Sequence, residues 1–591
     1  MAFLRSARNL LRSPLFRDCH SSATRSVTYE ALKSEIEQQM TPKEYVNFAR
    51  DFVAPWADTK PCHPALLFTD GQKETIVSYS DLLLQAKTLA TALRNPQLPK
   101  CALVLLPKVP AWWVMNVAAS WCGTIVSCGT TMLTPRDVAH RLSKCGADCI
   151  ICTPELAASL DEITKSLPLR IVVSDSQEDI RGGWICYNEL LESCHGRPAQ
   201  PCVATRGDDI SQLFFTSGTT GKPKMVPHTQ ASFTTGHIGT IRYWLDLGED
   251  DMIWNISDTG WAKAAWSSLY TPLMAGATSF IHQMPRFDAK ETLRALCEYP
   301  VTVLCAPPTV YRSLVQCELS RFPLKALRHC VSAGEPLNPE VMHAWTNNTG
   351  LQIYEGFGQT ETTLLCGVLK GMKLKFGSMG KSAPGYNLKV LNEQQQELPP
   401  YHEGKLAISL KQGHPCGLFK GYLYDEQRTS EAFRDGYYFT GDRAYYDDDG
   451  YFWFVGRADD VIISSGYRIG PFEVESCLLE HPAVAESAVV SSPDELRGEV
   501  VKAFVVLAEN FKHHQVEALI ADLQNYVKTA TAPYKYPRKI EFVDSLPKTV
   551  SGKIRRIELR AKEWAGQSEP SGGSSSGSGS ISSSSSSRHG G

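Results

Sequence analysis

Short apolar runs alternate with helix-like segments over residues 58–176 of this 591-residue chain. Clear apolar runs occupy residues 102–106 and Cys149–Cys152, and a pattern typical of a helix lies between them at residues 112–122. Strands that alternate with helices pair in parallel through helical crossovers, so this order predicts an α/β domain with a parallel sheet. The same order returns over residues 251–332, which predicts a second region of this kind.

The pattern changes in the second half of the chain. Residues 378–455 contain β-rich segments separated by Gly, Pro and acidic turns, and a new mixture of helical and apolar segments follows Gly456. A chain of this length exceeds what a single hydrophobic core supports. We therefore expect a large N-terminal domain of parallel-sheet α/β subdomains with a β-rich subdomain at residues 27–458. We expect it to be hinged to a small α+β C-terminal domain at residues 459–565.

A loop rich in hydroxyl groups, glycine and lysine follows the apolar run at residues 213–215. It comprises Thr216, Ser217, Gly218, Thr219, Thr220, Gly221, Lys222, Pro223 and Lys224. The glycines allow positive φ and bring backbone N–H groups close to an anion, while the lysines supply positive charge. The two glycines are too close together for the loop of P-loop NTPases, and a proline follows the first lysine. We interpret the segment as an ATP phosphate-binding loop of another class rather than a polar surface turn.

Charge and cysteine content exclude some classes of partner and site. With 60 basic and 63 acidic residues the net charge is −3, which argues against nucleic acid or an anionic membrane as the main partner. Cys149 and Cys152, two of 18 cysteines, have the spacing of metal ligands, but no second pair with suitable flanks follows. Their neighbours are typical of a buried strand. We therefore expect reduced thiols in a reducing compartment rather than a zinc site.

The two ends of the chain differ from the rest in composition. Residues 1–26 contain five arginines, several serines and the single acid Asp18, with leucines able to share one helical face. This composition is typical of a mitochondrial transit peptide and predicts a matrix location, and a plain basic tail explains the missing acids less well. Residues 566–591 are rich in Ser and Gly, so we expect a disordered tail without chemistry.

One uncharged segment could be mistaken for a membrane span. Residues 109–135 carry no charged side chain, but Asn116, Ser120 and Gly123 interrupt their apolar character. A helix followed by a strand inside an α/β core explains this composition better than a lipid-facing helix. We therefore predict no transmembrane segment here.

Residues 354–361 combine an aromatic ring with polar groups. Phe357 lies between two glycines and is followed by an amide, a hydroxyl and the carboxylate of Glu361. The ring can stack on a purine, and the carboxylate can hold a Mg²⁺ ion that bridges phosphates. The same residues could also form a polar turn, so this segment alone does not identify a nucleotide-binding site.

Three later segments carry weaker signals of the same kind. Asp442 follows an apolar run and is suited to accept hydrogen bonds from a ribose diol. Arg457 opens a long Gly-containing segment and could pair with phosphate or ribose. Lys553 lies in the basic loop at residues 547–556, where its long side chain could reach a site on the larger domain, although a solvated basic loop is the simpler interpretation.

Together these segments resemble those of the adenylate-forming superfamily, which includes acyl-CoA synthetases, firefly luciferase and nonribosomal-peptide adenylation domains. The resemblance extends over nearly all of residues 40–565, and all five motifs occur in the family's order. Residues 260–263, 358–361, 467–471 and 532–539 look most like the mitochondrial medium-chain acyl-CoA synthetases.

The resemblance implies a reaction and its co-substrates. In this family a carboxylate attacks the α-phosphate of ATP, pyrophosphate leaves, and the thiol of CoA then attacks the mixed anhydride. We therefore expect ATP and CoA as co-substrates, Mg²⁺ as the cofactor, and medium-chain fatty acids as the substrates, with aromatic carboxylic acids as a further class. The oligomeric state stays open, with a monomer among the alternatives.

The resemblance also assigns roles to particular residues. In addition to the loop at residues 216–224, the implied ATP site comprises Glu355, Gly356, Phe357, Gly358, Gln359, Thr360, Asp442, Arg457 and Lys553. The implied catalytic residues are Lys553, Thr360 and Glu361, with Glu361 as the Mg²⁺ ligand, and Thr360 and Trp261 are the implied acid-binding residues. The implied CoA-binding residues are Ser465, Gly466, Tyr467, Arg497, Lys528, Tyr534, Lys535 and Tyr536. Asp459 matches the family's hinge position.

Two departures from the family and two alternatives remain. Phe357 stands where relatives often have Tyr, so stacking is kept and a hydroxyl is lost. Near Met132 there is no amide where related chains carry a CoA-contacting glutamine. A luciferase-like or peptide-synthetase enzyme would share the ATP site, although no carrier domain follows Trp564. A catalytically silent binding protein is the other alternative, and the presence of Lys553, Glu361 and Asp442 argues against it.

Overall fold

The computed structural model describes residues 29–94, 97–174, 180, 182–194, 196–216, 223–369, 371–464, 467–494, 497–548 and 553–565. Contacts between Cα atoms divide the chain into two compact units. The large unit comprises Met1–Val461 and Lys548–Lys553, and the small unit comprises Ile462–Pro547 and Ile554–Gly591. The predicted transit peptide and the Ser/Gly tail lie outside the described residues.

The largest sheet of the large unit has nine strands in the described part of the chain. In spatial order they are Lys381–Ser382, Leu364–Gly367, Ile353–Gly358, His329–Ala333, Val303–Ala306, Met252–Asn255, Thr278–His282, Pro64–Thr69 and Glu74–Ser78. The central strands pair in parallel, and antiparallel strands close both edges. Runs of buried apolar residues such as Val303–Ala306 are typical of parallel strands covered on both faces.

A second sheet of the large unit has seven strands among the described residues. In spatial order they are Ile185–Cys186, Leu169–Val172, Cys149–Cys152, Cys101–Leu105, Ile125–Cys128, Ile210–Thr216 and Lys224–Thr229. All pairs are parallel except the last, in which Ile210–Thr216 and Lys224–Thr229 form an antiparallel pair. This pair frames the predicted phosphate loop, since Thr216 lies opposite Lys224.

Helices cover both sheets. Those of the large unit are Tyr29–Gln39, Ala54–Thr59, Tyr79–Leu93, Pro110–Cys122, Pro135–Cys145, Pro154–Thr164, Tyr187–Ser193, Gln230–Phe233, Ala262–Ala264, Thr271–Ala275, Ala289–Glu298, Pro308–Leu314, Pro339–Thr349 and Glu426–Ala432. Tyr79–Leu93 and Pro110–Cys122 share a hydrophobic core with strands Pro64–Thr69 and Cys101–Leu105, so these helices lie between the two sheets.

The helix Pro110–Cys122 accounts for most of the uncharged segment. Pro110 occupies its first turn, where no N–H is needed, and Gly123 ends it at φ +79° in the left-handed region. Every residue from Ala111 to Cys122 is buried in the protein core. Among the described residues, no helix combines the length and apolar character that a membrane crossing requires.

The β-rich region forms a separate five-stranded sheet within the described residues. Its path runs Leu388–Leu391, Gly404–Ser409, Tyr437–Tyr446 and Phe433–Arg434, and Phe452–Arg457 pairs with Tyr437–Tyr446. The pairs are antiparallel, and Asp442 lies opposite Arg457. This register places two of the predicted nucleotide-binding residues side by side.

The small unit is an α+β structure. Its described strands follow the path Tyr467–Ile469, Ile462–Ser464, Gly498–Leu507 and Val484–Asp494, and Lys539–Phe542 pairs in parallel with Gly498–Leu507. Its helices are Pro471–Leu479, Val516–Ala530 and Arg556–Ala565. The parallel sheets, the β-rich sheet and this unit confirm the predicted fold class.

Candidate active site

Asp442 is the centre of a polar cluster in the large unit. Its carboxylate accepts a 2.6 Å hydrogen bond from Gln359 Nε2 and a 3.0 Å hydrogen bond from Arg457 Nη1. Burial raises the pKa of the Asp442 carboxyl to about 6, while the Arg457 charge acts in the opposite direction. Two donors that are distant in sequence, Gln359 and Arg457, therefore fix the orientation of the carboxylate.

Gln359 is fixed in turn by the β-rich sheet. Its Nε2 also donates to the carbonyl of Thr440 at 2.7 Å, and its Oε1 accepts from the hydroxyl of Tyr438 at 3.1 Å. Both ends of the amide are thus engaged, so its orientation is defined. The predicted segment at residues 354–361 and the predicted Asp442 are brought together by this side chain.

Glu361 lies at the end of the same segment and is half-buried. Its Oε1 accepts a 2.9 Å hydrogen bond from the hydroxyl of Tyr422, and its backbone carbonyl accepts one from the N–H of Phe419 at 2.9 Å. No group of three or more His, Cys, Asp and Glu side chains suited to a metal occurs in the described ranges. A single oriented carboxylate fits Mg²⁺, which is commonly bound by one or two carboxylates together with substrate phosphates.

The backbone of Thr360 is held by a buried histidine. His228 Nε2 donates to the Thr360 carbonyl at 2.6 Å, and His228 Nδ1 lies 3.0 Å from Ser232 Oγ. Burial lowers the pKa of His228 to about 4, so the ring is neutral near pH 7. Because a carbonyl only accepts, the proton of the neutral ring is on Nε2.

Glu355 is deeply buried beneath the segment. Its Oε1 accepts a 2.9 Å hydrogen bond from the N–H of Leu337, and its carbonyl accepts one from Trp244 Nε1 at 3.1 Å. Burial raises the pKa of the Glu355 carboxyl to about 8. The side chain therefore anchors the start of the segment to the turn before Pro339–Thr349, and it is mostly protonated near pH 7.

Gly356 and Gly358 permit close packing of the segment at residues 354–361, and the ring of Phe357 between them in sequence is half-buried. A Cβ atom at Gly356 would collide with the ring of Trp244, and one at Gly358 would lie 2.5 Å from the carbonyl oxygen of Thr363. The ring centroid of Phe357 lies 6.3 Å from that of Phe454. The structure thus has no room for a side chain at Gly356 or Gly358, the two residues that flank Phe357.

The ends of the predicted phosphate loop lie near this cluster, while Ser217, Gly218, Thr219, Thr220, Gly221 and Lys222 lie outside the described residues. Thr216 and Lys224 face each other across the strand pair that the loop connects, and Pro223 is exposed. Lys224 Nζ lies 4.9 Å from the ring centroid of Tyr422, the residue that bonds Glu361. One end of the loop thus approaches the predicted metal ligand.

Lys553 and Trp261 are further predicted residues of the large unit, and Lys263 belongs to the segment at residues 260–263 that carries the resemblance. Lys263 Nζ donates to the carbonyl of Ala333 at 3.0 Å, and burial lowers its pKa, with a further lowering from the charge of Lys553. Lys553 itself is exposed. Trp261 is half-buried, and its Nε1 has no hydrogen-bond partner in the described structure.

Asp459 lies shortly before the division between the two units, which falls between Val461 and Ile462. Its Oδ1 is 3.8 Å from Nε of Arg457, the residue that also bonds Asp442. The predicted hinge residue is thus linked by charge to the predicted ribose-binding carboxylate.

The predicted CoA-binding residues of the small unit form two aromatic–basic groups. The rings of Tyr467 and Tyr534 stack with centroids 4.2 Å apart. Lys528 Nζ lies 4.2 Å from the ring centroid of Tyr536, which also accepts a 2.7 Å hydrogen bond from Arg538. Ser465 and Gly466, the other predicted residues of this region, lie outside the described residues.

Two of the predicted CoA-binding cations are paired with acids within the small unit. Lys535 Nζ lies 2.6 Å from Glu473 Oε2, and Arg497 Nη1 lies 3.6 Å from Asp494 Oδ1. Both pairs are partly solvent-exposed and therefore weak enough to rearrange around a phosphate.

Several residues that contact these predicted positions had no role assigned from the sequence. Among them are His228, Tyr422, Tyr438 and Arg538. The basic segment at residues 532–539 drew attention to the region of Arg538, but the tyrosines and the histidine carry no motif of their own. Their roles follow only from the hydrogen bonds that the fold creates.

Comparison with known proteins gives matches over both units. The family model described as AMP-binding enzyme matches residues 53–423, and the one described as AMP-binding enzyme C-terminal domain matches residues 473–553. Acyl-coenzyme A synthetase ACSM3, mitochondrial, from Homo sapiens is 48% identical over 548 residues, covering 91% of this chain and 92% of that protein. Acyl-coenzyme A synthetase ACSM4, mitochondrial, from Homo sapiens is 47% identical over 542 residues, covering 89% and 92%.

Solved structures share the fold. The anthranilate CoA ligase AuaEII in complex with anthranoyl-AMP superposes with a TM-score of 0.79 at 27% identity, covering 88% of this chain and 98% of that one. A benzoate CoA ligase from Burkholderia xenovorans LB400 gives a TM-score of 0.76 at 28% identity, covering 87% and 100%. With the family matches and the near-complete alignments to its relatives, the chain belongs to the AMP-binding enzyme family, among its acyl-coenzyme A synthetases.

Proposed function

We propose that this enzyme converts medium-chain fatty acids, and aromatic carboxylic acids as well, to their CoA thioesters through an acyl-adenylate. The observation that carries the proposal is the cluster of Gln359, Asp442 and Arg457 beside Glu361. A ribose-binding carboxylate, a guanidinium and a metal-binding carboxylate in one place suit a bound nucleotide. The names of the relatives supply the acyl-CoA product, and the structural neighbours include ligases of benzoate and anthranilate.

In the first half-reaction, a carboxylate oxygen of the acid attacks the α-phosphorus of ATP and the bond to pyrophosphate breaks. Asp442 accepts hydrogen bonds from the ribose hydroxyls, Arg457 holds the nucleotide, and residues 216–224 bind the β- and γ-phosphates. Thr360 and Trp261 contact the acid. Lys553 places its ammonium beside the oxygens that gain charge, which stabilises the transition state.

Glu361 would hold Mg²⁺, and the ion would supply positive charge that offsets the negative charge of the phosphates. The carboxylate is suited to this role because Tyr422 fixes its orientation and because it lies beside the end of the phosphate loop.

In the second half-reaction, the sulfur of CoA attacks the acyl carbonyl carbon and AMP leaves with the electrons of the broken C–O bond. The surface formed by Tyr467 and Tyr534, with Lys528, Lys535 and Arg497, binds CoA. Its stacked rings and cations suit an adenine ring and phosphates. The short segment Lys548–Lys553 is continuous on both sides with the small unit, so rotation about Asp459 withdraws Lys553 and brings up this surface between the two steps.

A mitochondrial matrix location accompanies this activity. The arginine-rich composition of residues 1–26 and the word mitochondrial in the names of the relatives support it. A fusion with a fluorescent protein at the C-terminus should colocalise with a matrix marker, and the same fusion lacking residues 1–26 should not. Diffuse signal from the full-length fusion would contradict this assignment.

The purified protein tests the substrate class directly. Saturated acids from C2 to C16 and benzoate should be assayed for both AMP release and CoA-thioester formation. We expect a graded profile with a maximum at intermediate length, since each methylene changes binding by only about 1–3 kcal/mol. Activity confined to acetate or to the longest acids would refute the substrate class. Absence of ATP–pyrophosphate exchange with every acid would instead favour a silent binding protein.

A further inference from the structure

Tyr422 joins the two parts of the site that are expected to meet the phosphates. Its hydroxyl donates to Glu361 Oε1 at 2.9 Å, and the face of its ring lies 4.9 Å from Lys224 Nζ. Only 9% of the residue is exposed, and its ring packs edge-on against Phe419 with centroids 4.9 Å apart. The side chain is thus firmly placed between a carboxylate and an ammonium group.

The backbone around Tyr422 explains this placement. The N–H of Leu423 donates to the carbonyl of Met225 at 3.0 Å. Because Tyr422 precedes Leu423 and Lys224 precedes Met225, this bond holds Tyr422 close to Lys224. The N–H of Phe419 donates to the carbonyl of Glu361 at 2.9 Å. Residues 419–423 therefore form a bridge between the strand Lys224–Thr229 and the segment that ends at Glu361.

The phenol can act only as a donor to the carboxylate. An ionised carboxylate has no proton to donate, so in the 2.9 Å contact the hydroxyl is the donor and Glu361 Oε1 the acceptor. A protonated hydroxyl that donates to Oε1 fixes the rotation of the carboxylate. Partners of this kind set the orientation of a metal ligand without contacting the metal.

We propose that Tyr422 is a positioning residue that orients Glu361 toward the divalent cation of the metal–nucleotide and holds Lys224 beside it. The inference rests on the proposed function, because it assumes that Glu361 meets this cation. Tyr422 touches neither ATP nor the reacting atoms in this scheme. Its effect therefore reaches the substrates through Glu361 and Lys224 alone.

Two substitutions separate the two contacts of Tyr422. Tyr422→Phe removes the hydroxyl and keeps the ring, and Tyr422→Leu removes both. Tyr424→Phe is the matched control, since this tyrosine lies two residues further on and is 81% exposed. Far-ultraviolet circular dichroism of the full chain, which reports on the backbone, should be unchanged in Tyr422→Phe, whose ring fills the same volume.

Metal binding is measured with Mn²⁺ and ATP in the absence of a carboxylic acid, by electron paramagnetic resonance of free Mn²⁺. We expect Tyr422→Phe to weaken Mn²⁺ binding about 10-fold, as loss of an outer partner of a metal ligand typically does. The Mg²⁺ concentration for half-maximal rate should rise in parallel, with an unchanged KM for the acid. Tyr422→Leu should in addition raise the KM for ATP, because the cation–π contact with Lys224 is lost.

The same measurement distinguishes two kinds of failure. If Glu361→Gln weakens Mn²⁺ binding while Tyr422→Phe matches the wild type, the positioning role is refuted and the metal role of Glu361 stands. If Glu361→Gln also binds Mn²⁺ like the wild type, the metal assignment in the proposed function is itself wrong. An equal loss in Tyr424→Phe would show a general effect of phenol removal and would likewise overturn the inference.

Discussion

Gln359 donates a 2.6 Å hydrogen bond to Asp442, a residue 83 positions further along the chain. The bond links the segment that follows a strand of the largest sheet to the middle of the β-rich sheet. Because Gln359 also bonds Tyr438 and Thr440, it aligns the predicted ribose-binding carboxylate with the predicted adenine-binding segment. The geometry of the predicted nucleotide site thus depends on how these two sheets of the large unit pack together.

Asp442→Asn should reduce kcat/KM for ATP. A hydrogen bond to a charged group contributes about 1.5–3 kcal/mol, so a loss of about 10- to 100-fold is expected when the charge is removed. The KM for CoA should change little. Asp448→Asn, an exposed neighbour in the turn that follows, is the matched control and should behave like the wild type. Equal kinetics of Asp442→Asn and the wild type would exclude a ribose-binding role.

The activity should also depend on pH through Asp442. Its pKa of about 6 lies above the ordinary value of 3.8, so the carboxylate that must accept ribose hydroxyls gains a proton as the pH falls through 6. We expect kcat/KM for ATP to decline below pH 6. Arg457→Gln removes the cation that favours ionisation and should move this decline to higher pH, in addition to lowering the rate. A pH profile that is the same in both proteins would contradict the assignment.

Local structure was predictable where the signals are local. The strand Cys149–Cys152 has the predicted bounds, and the helix predicted at residues 112–122 begins two residues earlier, at Pro110, because proline is favoured in the first turn of a helix. The motifs also identified Gln359 and Asp442. The tyrosines 422 and 438 could not be found in this way, since their bonds to Glu361 and Gln359 span 61 and 79 residues. Such contacts are set by the pairing and docking of strands, which no local pattern encodes.

Stability should respond to the protonation of Glu355. The pKa of this buried carboxyl, about 8, exceeds its ordinary value of 4.5, so the folded protein retains a proton that the unfolded chain releases. The free energy of unfolding should therefore fall as the pH rises from 4.5 to 8, by at most about 1.4 kcal/mol per pH unit. Glu355→Gln keeps an acceptor for the N–H of Leu337 and does not ionise. In thermal unfolding, this variant should lack the decline, and an identical decline would assign it to another group.

Lys553→Ala should separate the two half-reactions. Adenylation builds negative charge on the α-phosphate and carboxylate oxygens, and an ammonium at that position stabilises the transition state by several kcal/mol. Formation of acyl-adenylate should therefore slow by about 100-fold or more, while presynthesised acyl-adenylate is still converted to the CoA thioester. Lys512→Ala, an exposed lysine of the small unit, is the control. An equal loss of rate in both half-reactions would refute the assignment of Lys553 to the adenylation step alone.

Asp459→Pro should have the opposite effect. Asp459 lies just before the division of the chain into two units, so a change of its backbone angles can reorient the small unit. Proline fixes φ near −65° and restricts the preceding residue, which opposes such rotation. Adenylate formation, measured by ATP–pyrophosphate exchange, should be retained, whereas thioester formation from presynthesised acyl-adenylate should stall. Because Asp459 also lies near Arg457, Asp459→Ala serves as the control for loss of charge. Only the proline variant should block the second step, and a block in both variants would assign the effect to charge rather than to rotation.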